Sequence, residues 1–134
     1  MRLAPIVIFY YPDRGDILKY ASESSRTTHG AKECLEACVL FALILHSIFA
    51  GETDKNCLHQ FCPLPISSRK LKSIANGDYR YKDVAHIKGS GYVVESLEAA
   101  LYCFYHSNSY RQAILMAANL GDDADTTAVI CGQI

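Results

Sequence analysis

Near the end of the chain, in the stretch NLGDDADTTAVICGQI from Asn119 to Ile134, three aspartates and two threonines fall within six residues, just ahead of an apolar run. Carboxylates and hydroxyls at this density are the donors of a hard-cation site. Asp123, Asp125 and Thr126 offer oxygen ligands at a loop-to-helix corner, of the kind that suits Mg2+, Mn2+ or Ca2+ rather than softer metals. The D-x-D-T alternation lets two carboxylates and a hydroxyl face one point before the helix proper begins. The competing reading is helix capping, with Asp122 as N-cap and Asp125 three residues on in a capping-box-like pattern. Acidic residues at a helix start gain about 0.3–1 kcal/mol each from the dipole. Capping uses one aspartate or two, and three within four residues repel one another unless a cation or donor compensates. The stretch is not an EF-hand loop, since it lacks the mid-loop glycine and the closing glutamate. A second group, CLHQFC with Cys57, His59 and Cys62, has zinc-ligand residue types. No second paired cluster at finger-like spacing accompanies it, so it reads as loop and core.

These residues need elements to hold them. In GAKECLEACVLFALILHSIFAGE the apolar positions 35, 38, 39, 42, 45, 48 and 49 share one face at helical period, and Gly30 and Gly51 bracket the segment. One long core helix is predicted there. A second helix is signalled by YVVESLEAALYCFYHS, followed by turn and N-cap chemistry at Ser107, Asn108 and Ser109. YRQAILMAANLG makes a third that stops at Gly121, where a left-handed C-cap suits glycine. A fourth begins at once with DDADTT. Shorter helices are predicted in SSRKLKSIA, capped by a serine, and in DILKYASESS after the Pro12-Asp13 turn. The one plausible strand, IVIFYY, is isolated. The class is therefore all-α, a helical bundle without internal repeats.

Composition narrows the function. The chain has 134 residues, 50% hydrophobic and 20% charged, with a formal net charge of −1, which fits one globular domain over residues 1–134. No basic cluster offers a footprint for nucleic acid or an anionic membrane. The most apolar segment, from Cys38, is shorter than the ~20 residues a membrane span needs, and the N-terminal run lacks a signal-peptide pattern. Six cysteines, four of them in helix-like apolar surroundings, read as reduced thiols in a cytoplasmic protein.

The same residues resemble a known family. NLGDDADTTAVICGQI looks like the C-terminal metal motif of the ADP-ribosylglycohydrolases. SSRTTHGAKECLEAC, from Ser24 to Cys38, is similar to the family's Thr-His-Gly segment opening a long core helix. The stretch from Gly91 to Thr126 resembles its Gly-Tyr-Val segment and the two helices leading to the metal motif, and MRLAPIVIFYYP resembles the segment after its glycine-serine loop. The resemblance covers essentially the whole chain and is closest to members of dinitrogenase-reductase-activating type. It implies Asp123, Asp125 and Thr126 as C-terminal ligands of a two-metal Mg2+ or Mn2+ centre, with His29, Gly91 and Tyr92 in segments that approach ADP-ribose. It implies hydrolysis of an ADP-ribose linkage on a modified protein or small molecule, the metals orienting ribose hydroxyls and activating or positioning water.

The sequence also departs from the family. The Thr/Glu-Asp-Asp motif that supplies the other metal ligands and an acid near the scissile bond has no counterpart, for Asp13, Asp16 and Glu23 do not imitate its spacing. No catalytic residue is assigned. The expectation is a truncated C-terminal portion with a partial ADP-ribosylglycohydrolase fold, without efficient hydrolase activity alone. Its exposed apolar faces would favour self-association or a complementing N-terminal fragment. Two alternatives belong to another class: a non-catalytic module binding ADP-ribose or a partner protein, and a helical interaction domain in which DDADTT only caps a helix.

Overall fold

The computed structural model describes residues 1–56 and 66–134, and Cys57, His59 and Cys62 of the CLHQFC group lie outside the described residues. Every regular element among the described residues is helical, so the all-α expectation holds. The chain's contacts gather into two compact units, residues 1–76 and 77–134.

The first unit contains α1 (Ala4–Tyr10), α2 (Arg14–Arg26), α3 (Lys32–Phe49) and α4 (Arg69–Ala75). The strand expected over IVIFYY is instead α1. Pro5 sits in its first turn, where a missing N–H costs nothing. Leu3 and Val7, four apart, are buried, while Ile8 and Phe9 face outward. An isolated strand would have left its backbone groups without ladder partners, whereas a helix satisfies them internally. α2 runs longer than expected because Asp13 caps it, its Oδ1 accepting the Asp16 N–H at 2.9 Å, and because Ile17, Ala21 and Ser25 recur every four residues on the buried face.

α3 is the long core helix the periodicity indicates, but more than one face is covered. Leu40 to Leu45 are buried without interruption, which takes in the full circumference at 3.6 residues per turn. α1 and α2 pack on it, and α4 is tied to it by acids. Glu36 accepts from the backbone N–H of Ser67 and Ser68 and from the Ser67 hydroxyl, and Glu33 accepts from the Ser68 hydroxyl. Burial pushes the Glu36 carboxyl up, but the Ser67 and Ser68 hydrogen bonds and the Lys32 charge together outweigh it and hold its pKa below the ordinary value. Ser68 is also the predicted serine cap of α4.

At the α2–α3 turn the Ser25 hydroxyl donates to the His29 carbonyl at 3.0 Å while the His29 N–H donates to the Ser25 carbonyl at 2.7 Å. Apolar surface is exposed on this unit at Ile8, Phe9, Tyr11 and Phe49.

The second unit packs α5 (Val93–Tyr105), α6 (Tyr110–Asn119) and α7 (Ala124–Cys131) against one another, with a 3-10 turn at Asp78–Tyr81 on α5. All three helices stand where the sequence places them. Ser109 caps α6 as expected, accepting from the Gln112 N–H. The four cysteines among the described residues are free thiols, with Cys34 half-buried and Cys38, Cys103 and Cys131 buried. Burial, with Cys131 nearby, pushes the Cys103 thiol up to about 12, so it stays protonated and unreactive. Among the described residues no helix is long and apolar enough to cross a membrane.

Candidate metal and substrate site

α6 ends at Asn119, and the chain reverses through Gly121 at φ +77° and Asp122 at φ +57°. Both are left-handed, a region that glycine enters freely and aspartate tolerates better than most residues. The expected N-cap role of Asp122 is therefore corrected. A capping residue has an extended backbone and reaches forward to the first turn, whereas left-handed Asp122 is exposed and precedes the cap position. That position is held by Asp123, whose side chain makes no capping hydrogen bond. The aspartate cluster is not spent on capping α7.

What fixes Asp123 is its backbone. Its N–H donates to the Gly89 carbonyl at 2.7 Å, and its carbonyl accepts from the Thr127 N–H at 3.1 Å and the Thr127 hydroxyl at 3.2 Å. The carboxylate, half-buried, is left to other partners. Asp125 stands exposed in the first turn of α7, where the helix dipole favours a negative charge, and Thr126 beside it is half-buried. No ion pair among the described residues neutralises Asp122, Asp123 or Asp125.

The segment from Gly89 to Tyr92 lies against this corner. A Cβ added at Gly91 would stand 3.6 Å from Asp123 Oδ2, so Gly91 and Asp123 are brought together. The segment is braced from α5. The buried Ser96 hydroxyl reaches the carbonyls of Ser90 and Tyr92, the Ser90 hydroxyl donates to Glu95, and the Tyr92 N–H donates to the Ser90 hydroxyl at 3.2 Å. Gly91 is thus held exposed between two pinned neighbours, with Tyr92 at the N-cap of α5. His29 belongs to the first unit. It is exposed, and its Nδ1 shares a 2.9 Å hydrogen bond with the Thr28 hydroxyl.

The donor chemistry of Asp123, Asp125 and Thr126, all hard oxygens, fits Mg2+ or Mn2+ in kind. It falls short in number. Among the described residues no three His, Cys, Asp or Glu side chains gather as a metal cluster, so water and substrate oxygens would have to complete the octahedral shell of Mg2+.

The ADP-ribosylglycohydrolase family model matches residues 1–134, the whole chain. The chain belongs to the ADP-ribosylglycohydrolase family. The ADP-ribosylarginine hydrolase Tri1 of Pseudomonas putida (strain GB-1) is 39% identical over 135 residues, covering 100% of this chain and 36% of that protein. The ADP-ribosyl-[dinitrogen reductase] glycohydrolase of Rhodospirillum rubrum is 21% identical over 134 residues, 100% of this chain and 42% of its own length. A solved ADP-ribosylglycohydrolase-related protein complex superposes with a TM-score of 0.76 at 30% identity, over 95% of this chain and 44% of the matched one. The chain therefore spans between a third and a half of these relatives' length. The expected kinship to the dinitrogenase-reductase-activating type rests on the lower of the two relatives' identities.

Around this corner of the ADP-ribosylglycohydrolase chain, sequence reading passed over Gly89, Ser90, Ser96 and Thr127. Their signals are faint. Gly89 reads as one more loop glycine in KGSG, and buried Ser96 interrupts the apolar face of α5 without a motif of its own. Thr127, beside Thr126, reads as a β-branched member of an apolar run.

Proposed function

We propose that this chain carries the C-terminal part of a metal-dependent ADP-ribosylglycohydrolase site, for which arginine-linked ADP-ribose is the best-supported substrate. The observation that carries this reading is the unspent Asp123 carboxylate beside Gly91, in a chain matched over its whole length by the family model. The arginine acceptor is taken from the higher identity to the ADP-ribosylarginine hydrolase. Asp123, Asp125 and Thr126 would hold the Mg2+ or Mn2+, and Gly91 and Tyr92 of the same unit would contact ADP-ribose. The metals, when bound, supply orientation of ribose hydroxyls and activation of water.

In the reaction, water's oxygen bonds to the anomeric carbon of the ribose, the bond from that carbon to the acceptor nitrogen breaks, and a proton goes to the leaving nitrogen. The contribution of this chain is positioning. An exposed glycine between two pinned residues lets a sugar approach the backbone closely, and half-buried Tyr92, at the N-cap position of α5, borders it.

A second reading, non-catalytic ADP-ribose binding, is favoured by the shortage of metal donors among the described residues. Two adjacent dications need more compensating oxygen than Asp123, Asp125 and Thr126 supply. Cap-only aspartates are disfavoured, because Asp123, at the N-cap position of α7, makes no side-chain capping hydrogen bond.

Incubating the purified chain with Mg2+ and an ADP-ribosylarginine substrate tests the proposal. ADP-ribose release is expected to be negligible from the chain alone and to appear when a family N-terminal segment bearing the Thr/Glu-Asp-Asp motif is added. Release at an enzyme-like rate from the chain alone would refute the incomplete-centre view.

A further inference from the structure

Thr127 is wholly buried, with 0% exposure, at a site where valine would fill the same space. Its hydroxyl has a use that valine lacks. Oγ1 donates to the Asp123 carbonyl at 3.2 Å, so that carbonyl receives two bonds from one residue, the other from the Thr127 N–H. The same oxygen lies next to the space that a side chain at Gly89 would occupy. A Cβ at Gly89 would come within 3.1 Å of Thr127 Oγ1 and 3.2 Å of the Gly121 carbonyl, tighter than most side-chain contacts. A side chain at 89 would push the 89–92 segment, the Thr127 hydroxyl or the Gly121 carbonyl aside by a few tenths of an ångström. That closeness is what brings the Gly89 carbonyl within 2.7 Å of the Asp123 N–H.

We infer that Thr127 and Gly89 are positioning residues that clamp Asp123 and the Gly89–Tyr92 segment into one unit, so that the metal corner and the substrate loop keep a fixed spacing. The inference rests on the metal and ADP-ribose roles proposed above. Neither residue touches metal or substrate. Thr127 acts through the Asp123 carbonyl, and Gly89 through the Asp123 N–H. A ligand-bearing residue held at both its backbone groups loses little further freedom when a cation binds, which is how outer partners raise metal affinity. Because the clamp joins the two sites, each ligand should strengthen binding of the other by the same factor.

The test uses the purified 134-residue chain with Mn2+ and ADP-ribose as probes, titrated singly and together, for the wild type, Gly89→Ala, Thr127→Val and Thr127→Ser. Gly89→Ala and Thr127→Val are expected to weaken Mn2+ binding by about 10–100-fold and to abolish the mutual enhancement with ADP-ribose. Thr127→Ser keeps the hydroxyl and should bind Mn2+ nearly as the wild type does. A purely structural role predicts the reverse ranking, because serine lacks the buried methyl and is the less stable of the two, while valine retains it. Should Gly89→Ala fail to fold, the two Thr127 variants decide the question alone. Thr127→Val binding Mn2+ as tightly as the wild type overturns the positioning role and leaves the glycohydrolase reading standing. Wild-type protein that binds neither probe defeats that reading, and the clamp's role with it.

Discussion

Replacing Asp123 with asparagine is expected to weaken Mn2+ binding at least about 100-fold while leaving the fold intact, as read by calorimetric titration alongside circular dichroism. The size follows from the small donor set. With Asp123, Asp125 and Thr126 as the proposed ligands, losing one of the two carboxylates would remove half of the negative charge facing the cation. The intact fold follows from the geometry, since Asp123 is anchored through its N–H and C=O, which asparagine shares, and its carboxylate makes no capping hydrogen bond. A near-isosteric change that breaks no packing or hydrogen bond usually alters stability within about 0.5 kcal/mol. Equal Mn2+ affinity in the variant would return the cluster to a purely local role.

The largest expected effect on stability lies in the other unit. Phe41 is fully buried in the stretch of α3 that is covered on all sides. Truncation to alanine removes the ring and leaves a cavity that α1 and α2, both packed on α3, can only partly fill. Phe41→Ala should cost about 3–5 kcal/mol, measured by urea denaturation. An equal truncation at Phe9, which is 79% exposed, should cost little, so the pair calibrates how far α3 forms the core.

The helical architecture was largely legible in the sequence. α3, α5, α6 and α7 announce themselves by apolar recurrence at three and four and by punctuation at Gly51, Ser109 and Gly121, all local signals. α1 was not legible, because the β-branched Ile-Val-Ile run favours a strand when read alone, and only burial of Leu3 and Val7 makes a helix the better solution. The same limit applies at the site. Asp123, Asp125 and Thr126 stand out by type and spacing, but Asp122 was assigned a cap it does not make, since the left-handed turn that displaces the cap by one residue leaves no mark in the sequence. Gly89 and Thr127 are 38 positions apart in numbering and related only by tertiary contact. The loop's closeness to the corner depends on an absent side chain at one and a single oxygen at the other.

The central claim, that this corner and loop bind ADP-ribose with a divalent cation, is tested most directly by calorimetric titration of the purified chain with ADP-ribose in the presence and absence of Mn2+. Saturable binding that strengthens with Mn2+, and loses that dependence in Asp123→Asn, is the expected result. Absence of binding under both conditions, or binding indifferent to Mn2+ and to Asp123, would contradict it.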